Sequence, residues 1–504
     1  MRIREPAEPA KNLHKRLRAG RLRDAGRPSR GGPVTSTETA PRSAEEHTEL
    51  KRAIGPKLLL LFIIGDILGT GVYALTGQVA GEVGGAAWLP FLVAFVVATI
   101  TAFSYLELVT KYPQAAGAAL YVHKAFGIHI VTFLVMFVVM SSGITSASAA
   151  SVAFASNFAA AFGIEPGVGV SLGVALVFML LILAVNLRGV AEGVGLNVVF
   201  TLIELSGLLL VLLLGSVAIF AGNADFSRVV LFEGPEDKSF LLAVTTATSL
   251  AFFAMVGFED SVNMAEETHQ PSKVFPRTLL TGLTLAAIIY VLVSIVAVAV
   301  VPVGELAKSA TPLTTVVEQA VPGFPIAALL PFISMFAVAN SALINMMMAS
   351  RLIYGMARQA VLPPVLGRVL PRRRTPYAAI AFTTALAVVL ITVLSLGADD
   401  PIVGLLGGTT SLLLLSVFAV VNVVVLVLRR DAVDHEHFRT PTALPLVGVV
   451  SCVLLVLPWT SGRDVEQYGI AGALLALGLV LWALTVVLNR ATRGTPRREP
   501  ADVR

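Results

Sequence analysis

Long stretches of apolar residues alternate with short polar segments along most of this 504-residue chain. Most of these stretches are close to the roughly 20 residues that an α-helix needs to cross a bilayer. Composition agrees, since 56% of the residues are hydrophobic and only 14% are charged. The pattern predicts an all-α polytopic membrane protein. Its twelve predicted transmembrane helices lie at residues 57–80, 88–110, 130–158, 168–187, 195–221, 241–262, 277–301, 326–350, 377–397, 403–428, 443–459 and 468–489.

Positive charge is distributed unevenly between the predicted loops. If both termini are cytoplasmic, all but four of the 37 Lys and Arg residues fall on cytoplasmic segments. Cytoplasmic loops of membrane proteins carry an excess of Lys and Arg, so this distribution predicts an even number of spans with both termini inside. Because the net charge of +5 follows this topology, we predict no binding to nucleic acid.

The same pattern divides the chain into three regions. Residues 1–50 are rich in Arg, Pro, Gly and Ser and lack an apolar run, which predicts a disordered basic cytoplasmic tail. Residues 51–490 form the predicted twelve-helix domain, and residues 491–504 form a cytoplasmic C-terminal tail. A start of translation near Val34, which would leave residues 1–33 untranslated, is an open alternative.

Two of the predicted spans contain glycines that would break a helix at membrane depth. The first span carries Gly69-Thr70-Gly71, and the sixth carries Gly257 directly before an acidic segment. Irregular backbone inside a bilayer is tolerated only where protein or a water-filled cavity surrounds it. Freed amides at such a break hold anions, and freed carbonyls hold cations. We therefore predict a binding site for a small molecule that carries both charges.

The two glycine breaks lie five spans apart. With the N-terminus inside, span 1 runs outward and span 6 runs inward, so a five-span unit repeated once would be inverted. The predicted repeats cover residues 57–221 and 241–428. Residues 443–489, which hold spans 11 and 12, would then be an addition outside the repeat.

Four sequence segments occur in order within residues 50–490. They are Gly69-Thr70-Gly71-Val72-Tyr73, Phe253-Ala254-Met255-Val256-Gly257-Phe258-Glu259, Ala265-Glu266-Glu267, and Arg351-Leu352-Ile353-Tyr354-Gly355-Met356-Ala357-Arg358 followed by Leu362-Pro363. Together these segments resemble the amino acid-polyamine-organocation superfamily, in particular bacterial permeases of the cationic-amino-acid-transporter-like kind. The resemblance implies a leucine-transporter-type fold of two inverted five-helix repeats with two extra C-terminal helices. It also implies secondary active transport of amino acids by alternating access.

The resemblance also implies a substrate site at the two helix breaks. Backbone groups of the first break would receive the substrate's carboxylate, and backbone carbonyls of the second would receive its amino group. Two phenylalanines are candidates for aromatic contact or gating. Close helix packing is the alternative role for the glycines, and simple packing is the alternative for the phenylalanines. The predicted substrate-binding residues are Gly69, Thr70, Gly71, Phe253, Ala254, Val256 and Phe258.

Ionisable side chains inside a span are costly and point to function. Asp66 lies one turn before the first break, and Glu204 lies in the middle of the fifth span. Several proton-coupled members of the superfamily carry a lysine in that helix, so their coupling mechanism does not transfer to this chain. We predict Asp66 and Glu204 as proton-coupling residues. A bound cation and a structural hydrogen bond to a neighbouring helix are the alternatives for Glu204.

Other polar residues in the spans have less specific predictions. Glu107 is predicted to make a contact at the end of the second span, and Glu259 and Asp260 to contact either the intracellular gate or water. Side chains of the eighth span could contribute to an ion site near the first helix, although bonding between helices is the commoner use of such residues. These eighth-span residues are Ser334, Asn340, Ser341 and Asn345.

The sequence as a whole predicts a proton-coupled symporter of amino acids or related amines in the cell membrane. An exchanger of amino acids or polyamines and a sodium-coupled transporter are the alternatives. All seven His residues lie outside the spans, and no Cys/His spacing typical of a metal site occurs. We therefore predict neither an enzyme, nor a metal site, nor a cofactor. The expected partners are the substrate, protons and the lipid bilayer; no oligomeric state is predicted.

Overall fold

The structure, a computed structural model, describes residues 54–114, 117–165, 167–323, 328–359, 361–373, 375–397 and 401–493. The predicted N-terminal tail at residues 1–50 lies outside these ranges, as does most of the predicted tail at residues 491–504. The described residues form helices joined by short connections and contain no β-strand. One isolated β-bridge pairs Ile54 with Thr268. The prediction of an all-α chain is confirmed for the part of the molecule that the structure describes.

Seventeen α-helices occupy these ranges, and short 3-10 segments connect several of them. The 3-10 segments are Gly84–Ala87, Phe226–Val230, Phe252–Met255, Asp260–Glu267 and Pro364–Gly367. The α-helices are α1 (Pro56–Ile67), α2 (Thr70–Val83), α3 (Trp88–Lys111), α4 (Gly117–Phe126), α5 (His129–Phe162), α6 (Val168–Arg188), α7 (Val190–Phe220), α8 (Phe240–Ala251), α9 (Pro271–Val300), α10 (Val303–Leu306), α11 (Pro312–Ala320), α12 (Leu330–Arg358), α13 (Tyr377–Gly397), α14 (Ile402–Leu428), α15 (Ala443–Val456), α16 (Pro458–Ser461) and α17 (Val465–Arg493).

Ten helical segments of the described chain are long and apolar enough to cross a membrane. The first, Pro56–Lys111, contains both the first and the second predicted span, because α1, α2 and α3 follow one another almost without interruption. The predicted span at residues 443–459 corresponds to α15, which is apolar but shorter than the other ten. The chain is therefore a multi-pass membrane protein.

Burial separates the interior helices from those at the periphery. In the most apolar 18-residue stretch of Pro56–Lys111, 83% of the residues are buried. In the corresponding stretches of α6 and α17, only 22% are buried. A helix that is apolar on all faces but exposed needs lipid around it. Helices α1 to α3 therefore lie inside the bundle, where a site at the first break is enclosed by protein.

Polar contacts at the end of α3 join it to α14 and to the segment before α15. Glu107 accepts two hydrogen bonds from the guanidinium of Arg429, at 2.8 Å from Nε and 2.7 Å from Nη2. The backbone amide of Thr440 donates to the same carboxylate at 2.8 Å. This two-point geometry is the strong form of an ion pair. The predicted helix-end contact of Glu107 is present in the structure.

Candidate functional site

The first helix break lies between α1 and α2. The helix α1 ends at Ile67, Leu68 has ψ of 80°, and Gly69 has φ of −141° and ψ of −138°. Helical geometry resumes at Thr70. The backbone therefore breaks where the glycines predicted it, with Leu68 and Gly69 forming the non-helical link.

Three side chains from two neighbouring helices satisfy backbone groups at this break. The hydroxyl of Tyr290 in α9 donates to the carbonyl of Ile67 at 2.5 Å. The amide of Asn340 in α12 donates to the carbonyl of Gly65 at 3.0 Å, and the Thr70 amide donates to Ser341 Oγ at 3.2 Å. A buried unpaired backbone group costs about 1–3 kcal/mol. The break is therefore built into the tertiary structure.

The second helix break follows α8. A 3-10 segment covers Phe252–Met255, Val256 is extended with ψ of 150°, and Gly257 has φ of 120°. That φ strongly favours glycine, because a Cβ atom would clash with the backbone. The freed amide of Gly257 donates to the Glu259 carboxylate at 2.9 Å. The predicted sixth-span break is thus present at Val256 and Gly257.

The two breaks touch each other through their glycines. A Cβ atom on Gly71 would lie 2.5 Å from Cα of Ala254, and one on Gly257 would lie 2.8 Å from the carbonyl oxygen of Asp66. Real Cβ contacts are longer than this by about 1 Å. Each break therefore needs a glycine so that the other can approach it.

A small polar cavity lies at the meeting point of the breaks, with a volume of about 20 Å³. That volume holds a single water molecule but is smaller than any amino acid. A molecule of amino-acid size would therefore fit here only if the breaks separated. The lining residues come from α1, α2, α5, the second break and α12: Asp66, Ile67, Gly69, Thr70, Gly71, Ser146, Phe253, Val256, Gly257, Asp260, Ser341 and Asn345.

The predicted substrate-binding residues divide into two groups. Five of them line the cavity: Gly69, Thr70, Gly71, Phe253 and Val256. The other two pack beside it.

Ala254 faces Gly71 across the contact between the breaks. Phe258 is fully buried in an aromatic cluster, with its ring centroid 5.8 Å from that of Tyr105 and 5.3 Å from that of Phe418. Phe258 therefore packs against Tyr105 and Phe418 and does not line the cavity.

Asp66 lines the cavity at the end of α1 and is buried, with 7% of its surface exposed. Its Oδ2 atom has no hydrogen-bond partner among the described residues. Asp260 and Glu259 are close enough to interact with it electrostatically. Two carboxyl groups, those of Asp66 and Asp260, thus line the cavity, and its lining contains no Lys, Arg or His residue.

Glu204 is fully buried in α7, and neither of its carboxyl oxygens has a hydrogen-bond partner among the described residues. The side chains of Asn340 and Asp66 are near enough to interact with it, but no contact reaches hydrogen-bond geometry. The ion pairs found in the described chain lie elsewhere, on Arg228, Lys238 and Arg429. The structural hydrogen bond considered for Glu204 stays an alternative, with the Asn340 side chain of α12 as the nearby donor.

Two residues that the sequence interpretation did not single out belong to the site. Tyr290 holds the carbonyl of Ile67, and Ser146 of α5 lines the cavity. In the sequence, each of them is marked only as a polar residue inside an apolar span. Many residues with purely structural roles have the same feature. Of the eighth-span residues, Asn340 and Ser341 contact the first break directly, and Asn345 lines the cavity.

A protein-family comparison matches residues 54–484 to the model described as amino acid permease. The chain belongs to the amino acid permease family. This permease is therefore a membrane transporter and not an enzyme, as the sequence predicted. The match spans both helix breaks and all the candidate site residues.

Comparison with characterised sequences finds similar transporters in bacteria and plants. The permease is 26% identical to the branched-chain amino acid permease BcaP of Bacillus subtilis, over 81% of this chain and 88% of that protein. It is 26% identical to the methylthioribose transporter of Bacillus subtilis, over 80% and 86%. It is 27% identical to the chloroplastic cationic amino acid transporter 9 of Arabidopsis thaliana, over 68% and 61%. These relatives are named for three different kinds of substrate.

The cavity of the permease has a defined chemical preference. It combines carboxyl groups with hydroxyls, a side-chain amide and freed backbone groups, and no lining side chain is basic. Buried carboxylates without a partner are unfavourable, so each of these groups is stable only with a bound proton or a cationic group beside it. The arrangement suits a substrate with an ammonium group or a bound proton, or both.

Proposed function

We propose that this permease is a proton-coupled symporter that moves amino acids across the cell membrane by alternating access. The observation that carries the proposal is the contact between two helix breaks around a cavity whose buried carboxyl groups lack basic partners. A transporter that binds an amino acid and a proton together uses both features. The family membership supports an amino acid as the substrate.

The topology proposed for the permease has twelve spans with both termini in the cytoplasm. Ten candidate spans support it, because one of them contains two predicted spans and α15 supplies another apolar helix. Two five-helix repeats, at residues 57–221 and 241–428, would be related by inversion, and residues 443–489 would add two helices. The breaks in the first helix of each repeat support this arrangement.

The substrate is proposed to bind between the breaks after they separate. The first-turn amides of a helix are unpaired and carry a partial positive charge, so the start of α2 at Gly69, Thr70 and Gly71 would hold the carboxylate. Carbonyls of Phe253, Ala254 and Val256 would hold the ammonium group. The names of the relatives, which include a branched-chain amino acid permease and cationic amino acid transporters, indicate no single side chain.

The route towards the cytoplasm is proposed to run past Glu259 and Asp260. Two further small cavities share these acids: one reaches Asn263 and Tyr105, and the other reaches Asn345 and the inner half of α5. Asp260 also lines the cavity between the breaks. A series of cavities with common acidic residues supports release of a cationic group in this direction.

Coupling is proposed to depend on Glu204 and Asp66. A fully buried carboxyl with no hydrogen-bond partner is far more stable in its protonated form. Opening of the α1 end would expose both groups to water and allow them to release protons. One transport cycle would then move protons together with the substrate.

Uptake of radiolabelled amino acids into proteoliposomes tests this proposal. We expect an inward proton gradient to drive accumulation, a proton ionophore to abolish it, and external sodium to have no effect. Glu204→Gln keeps the shape of the side chain but cannot ionise, so it should allow exchange of amino acids without proton-driven accumulation. Glu82→Gln, which alters a carboxylate paired with Lys238 away from the site, is the matched control.

Two outcomes would contradict the proposal. Accumulation that follows external sodium and ignores the ionophore would favour the sodium-coupled alternative. Exchange without net accumulation in the wild type would favour the exchanger.

A further inference from the structure

Two consecutive residues of α12 contact both sides of the first helix break. Asn340 Nδ2 donates to the carbonyl of Gly65 in the last turn of α1, and Ser341 Oγ accepts from the amide of Thr70 at the start of α2. A Cβ atom on Gly69 would lie 1.8 Å from Ser341 Oγ, so a larger residue at the link would displace this hydroxyl from the Thr70 amide. We call Asn340 and Ser341 the α12 clasp.

A second asparagine orients the clasp. Asn197 of α7 donates its Nδ2 to Asn340 Oδ1 at 3.0 Å, which turns the amide nitrogen of Asn340 towards α1. Thr201 Oγ1 donates to the carbonyl of Asn197 at 2.8 Å and lies 3.4 Å from the Asn340 nitrogen as an acceptor. The Asn340 amide nitrogen thus donates to one carbonyl at a normal hydrogen-bond distance and to one hydroxyl near the upper distance limit for a hydrogen bond.

Glu204 lies beside this amide, one helical turn from Thr201 on α7. Its carboxyl interacts with the Asn340 side chain, yet it forms no hydrogen bond in this conformation. The other titratable groups facing it are Asp66 on α1, Tyr73 on α2 and Tyr290 on α9. None of these groups supplies a positive charge, and the two tyrosine hydroxyls already donate to the backbone carbonyls of Glu204 and Ile67. The Asn340 amide is the neighbouring side-chain donor that can turn to the Glu204 carboxylate when it ionises.

We propose that Asn340 is a positioning residue that couples the ionisation of Glu204 to closure of the first helix break. The inference rests on the role of Glu204 in coupling proposed above. Protonated Glu204 leaves the Asn340 amide on the Gly65 carbonyl and holds the end of α1 in place. An ionised carboxylate is a stronger hydrogen-bond acceptor than a carbonyl or hydroxyl, so it draws the amide away and releases α1.

The clasp also bears on the sodium independence that the proposed function expects. Unwound carbonyls at membrane depth are the groups that coordinate sodium in cation-coupled transporters. In this permease one hydrogen of the Asn340 amide is donated to the Gly65 carbonyl, so that carbonyl is satisfied without a metal ion. Replacing the donor with an acceptor would leave a group of oxygens from three helices and create a place for a cation.

Two substitutions at Asn340 test the proposal in proteoliposomes. Asn340→Leu removes both donors. We expect uptake to continue with an apparent KM raised about tenfold, as expected for one lost buried hydrogen bond. The ratio of uptake rates at acidic and neutral external pH should fall from the wild-type value to about one. Asn340→Asp presents oxygens to the Gly65 carbonyl and Thr201, and its uptake should become dependent on sodium.

The matched control is Asn422→Leu. Asn422 is a buried asparagine of α14 that donates to Thr101 at 3.1 Å and accepts from Ser104 at 2.7 Å, away from the break. This variant loses a comparable buried network, so it should lower thermal stability while keeping the wild-type pH ratio. If the loss of any buried amide flattened the ratio of uptake rates at acidic and neutral pH, both Asn340→Leu and Asn422→Leu would show it, and the coupling role of Asn340 would be overturned.

The outcomes separate this inference from the proposed function. Proton-driven uptake in the wild type together with an unchanged pH ratio in Asn340→Leu would overturn the coupling role of Asn340 and leave the symporter intact. Absence of proton-driven uptake in the wild type would instead overturn the proposed function. If Asn340→Leu does not fold, Asn197→Ala tests the same inference, because it removes only the donor that orients Asn340. We expect its ratio of uptake rates at acidic and neutral pH to fall to about one as well, and an unchanged ratio would overturn the inference.

Discussion

The contact between Gly71 and Ala254 gives the sharpest prediction about the site. In Gly71→Ala the new Cβ atom would lie 2.5 Å from Cα and 2.6 Å from Cβ of Ala254. Ordinary contacts begin near 3.5 Å, so the two breaks must move apart by about 1 Å. Both obstructing atoms belong to or adjoin backbone, which leaves no flexible side chain to rotate away.

The effects on folding and on transport should differ in size. Overpacking typically costs about 1–3 kcal/mol, and alanine in place of a helical glycine returns about 1 kcal/mol. The net destabilisation is therefore about 0–2 kcal/mol, which a folded protein tolerates. A displacement of about 1 Å at a site that must hold its ligand closely can lower the rate about 100-fold. We expect Gly71→Ala to fold and to transport poorly.

Initial uptake rates in proteoliposomes, measured beside thermal unfolding in detergent, check this prediction. Gly173→Ala is the matched control, because a Cβ atom at Gly173 in α6 meets nothing within 4 Å. It should unfold at the wild-type temperature or slightly above it and transport normally. A Gly71→Ala protein with wild-type KM and maximal rate would refute the argument that the breaks must touch.

Three further predictions concern individual contacts. Gly257→Ala should abolish transport and lower stability, because φ of 120° is strained for alanine and its Cβ would meet Asp66; uptake and thermal unfolding measure the two losses. Glu107→Gln should destabilise the fold by about 3 kcal/mol, since it leaves Arg429 without its anion, while the pH ratio of uptake stays at the wild-type value. Cys452 is fully buried, so a maleimide should label it only after denaturation; rapid labelling of the native protein would show that α15 packs differently.

The sequence predicted the helices because their signal is local. An apolar run such as the one in α5 must leave water wherever the chain places it, and its length then dictates a span. Gly69 and Gly257 were visible for a similar reason, since glycine in an apolar helix marks a place where the backbone departs from helical geometry or approaches another chain segment closely. These inferences required no knowledge of neighbours.

Roles that depend on a partner were harder to predict. Phe253 and Phe258 lie in the same sequence motif, yet one lines the cavity and the other packs against Tyr105 and Phe418. Tyr290 was not singled out, although it holds the carbonyl of Ile67 from a position 223 residues away in the chain. Which face of a helix meets the cavity depends on how the helices pack.

The sequence by itself determined the class of protein, the positions of the long apolar helices and the two glycine breaks, because hydrophobicity and backbone freedom are properties of each residue and its near neighbours. Only the tertiary structure decided that the breaks touch, that Asn340 and Ser341 hold the first of them, and that the carboxyl oxygens of Glu204 have no hydrogen-bond partner among the described residues. Hydrogen bonds and buried charges have directions and ranges of a few ångströms. Their partners are therefore chosen by the packing of helices that lie far apart in the chain.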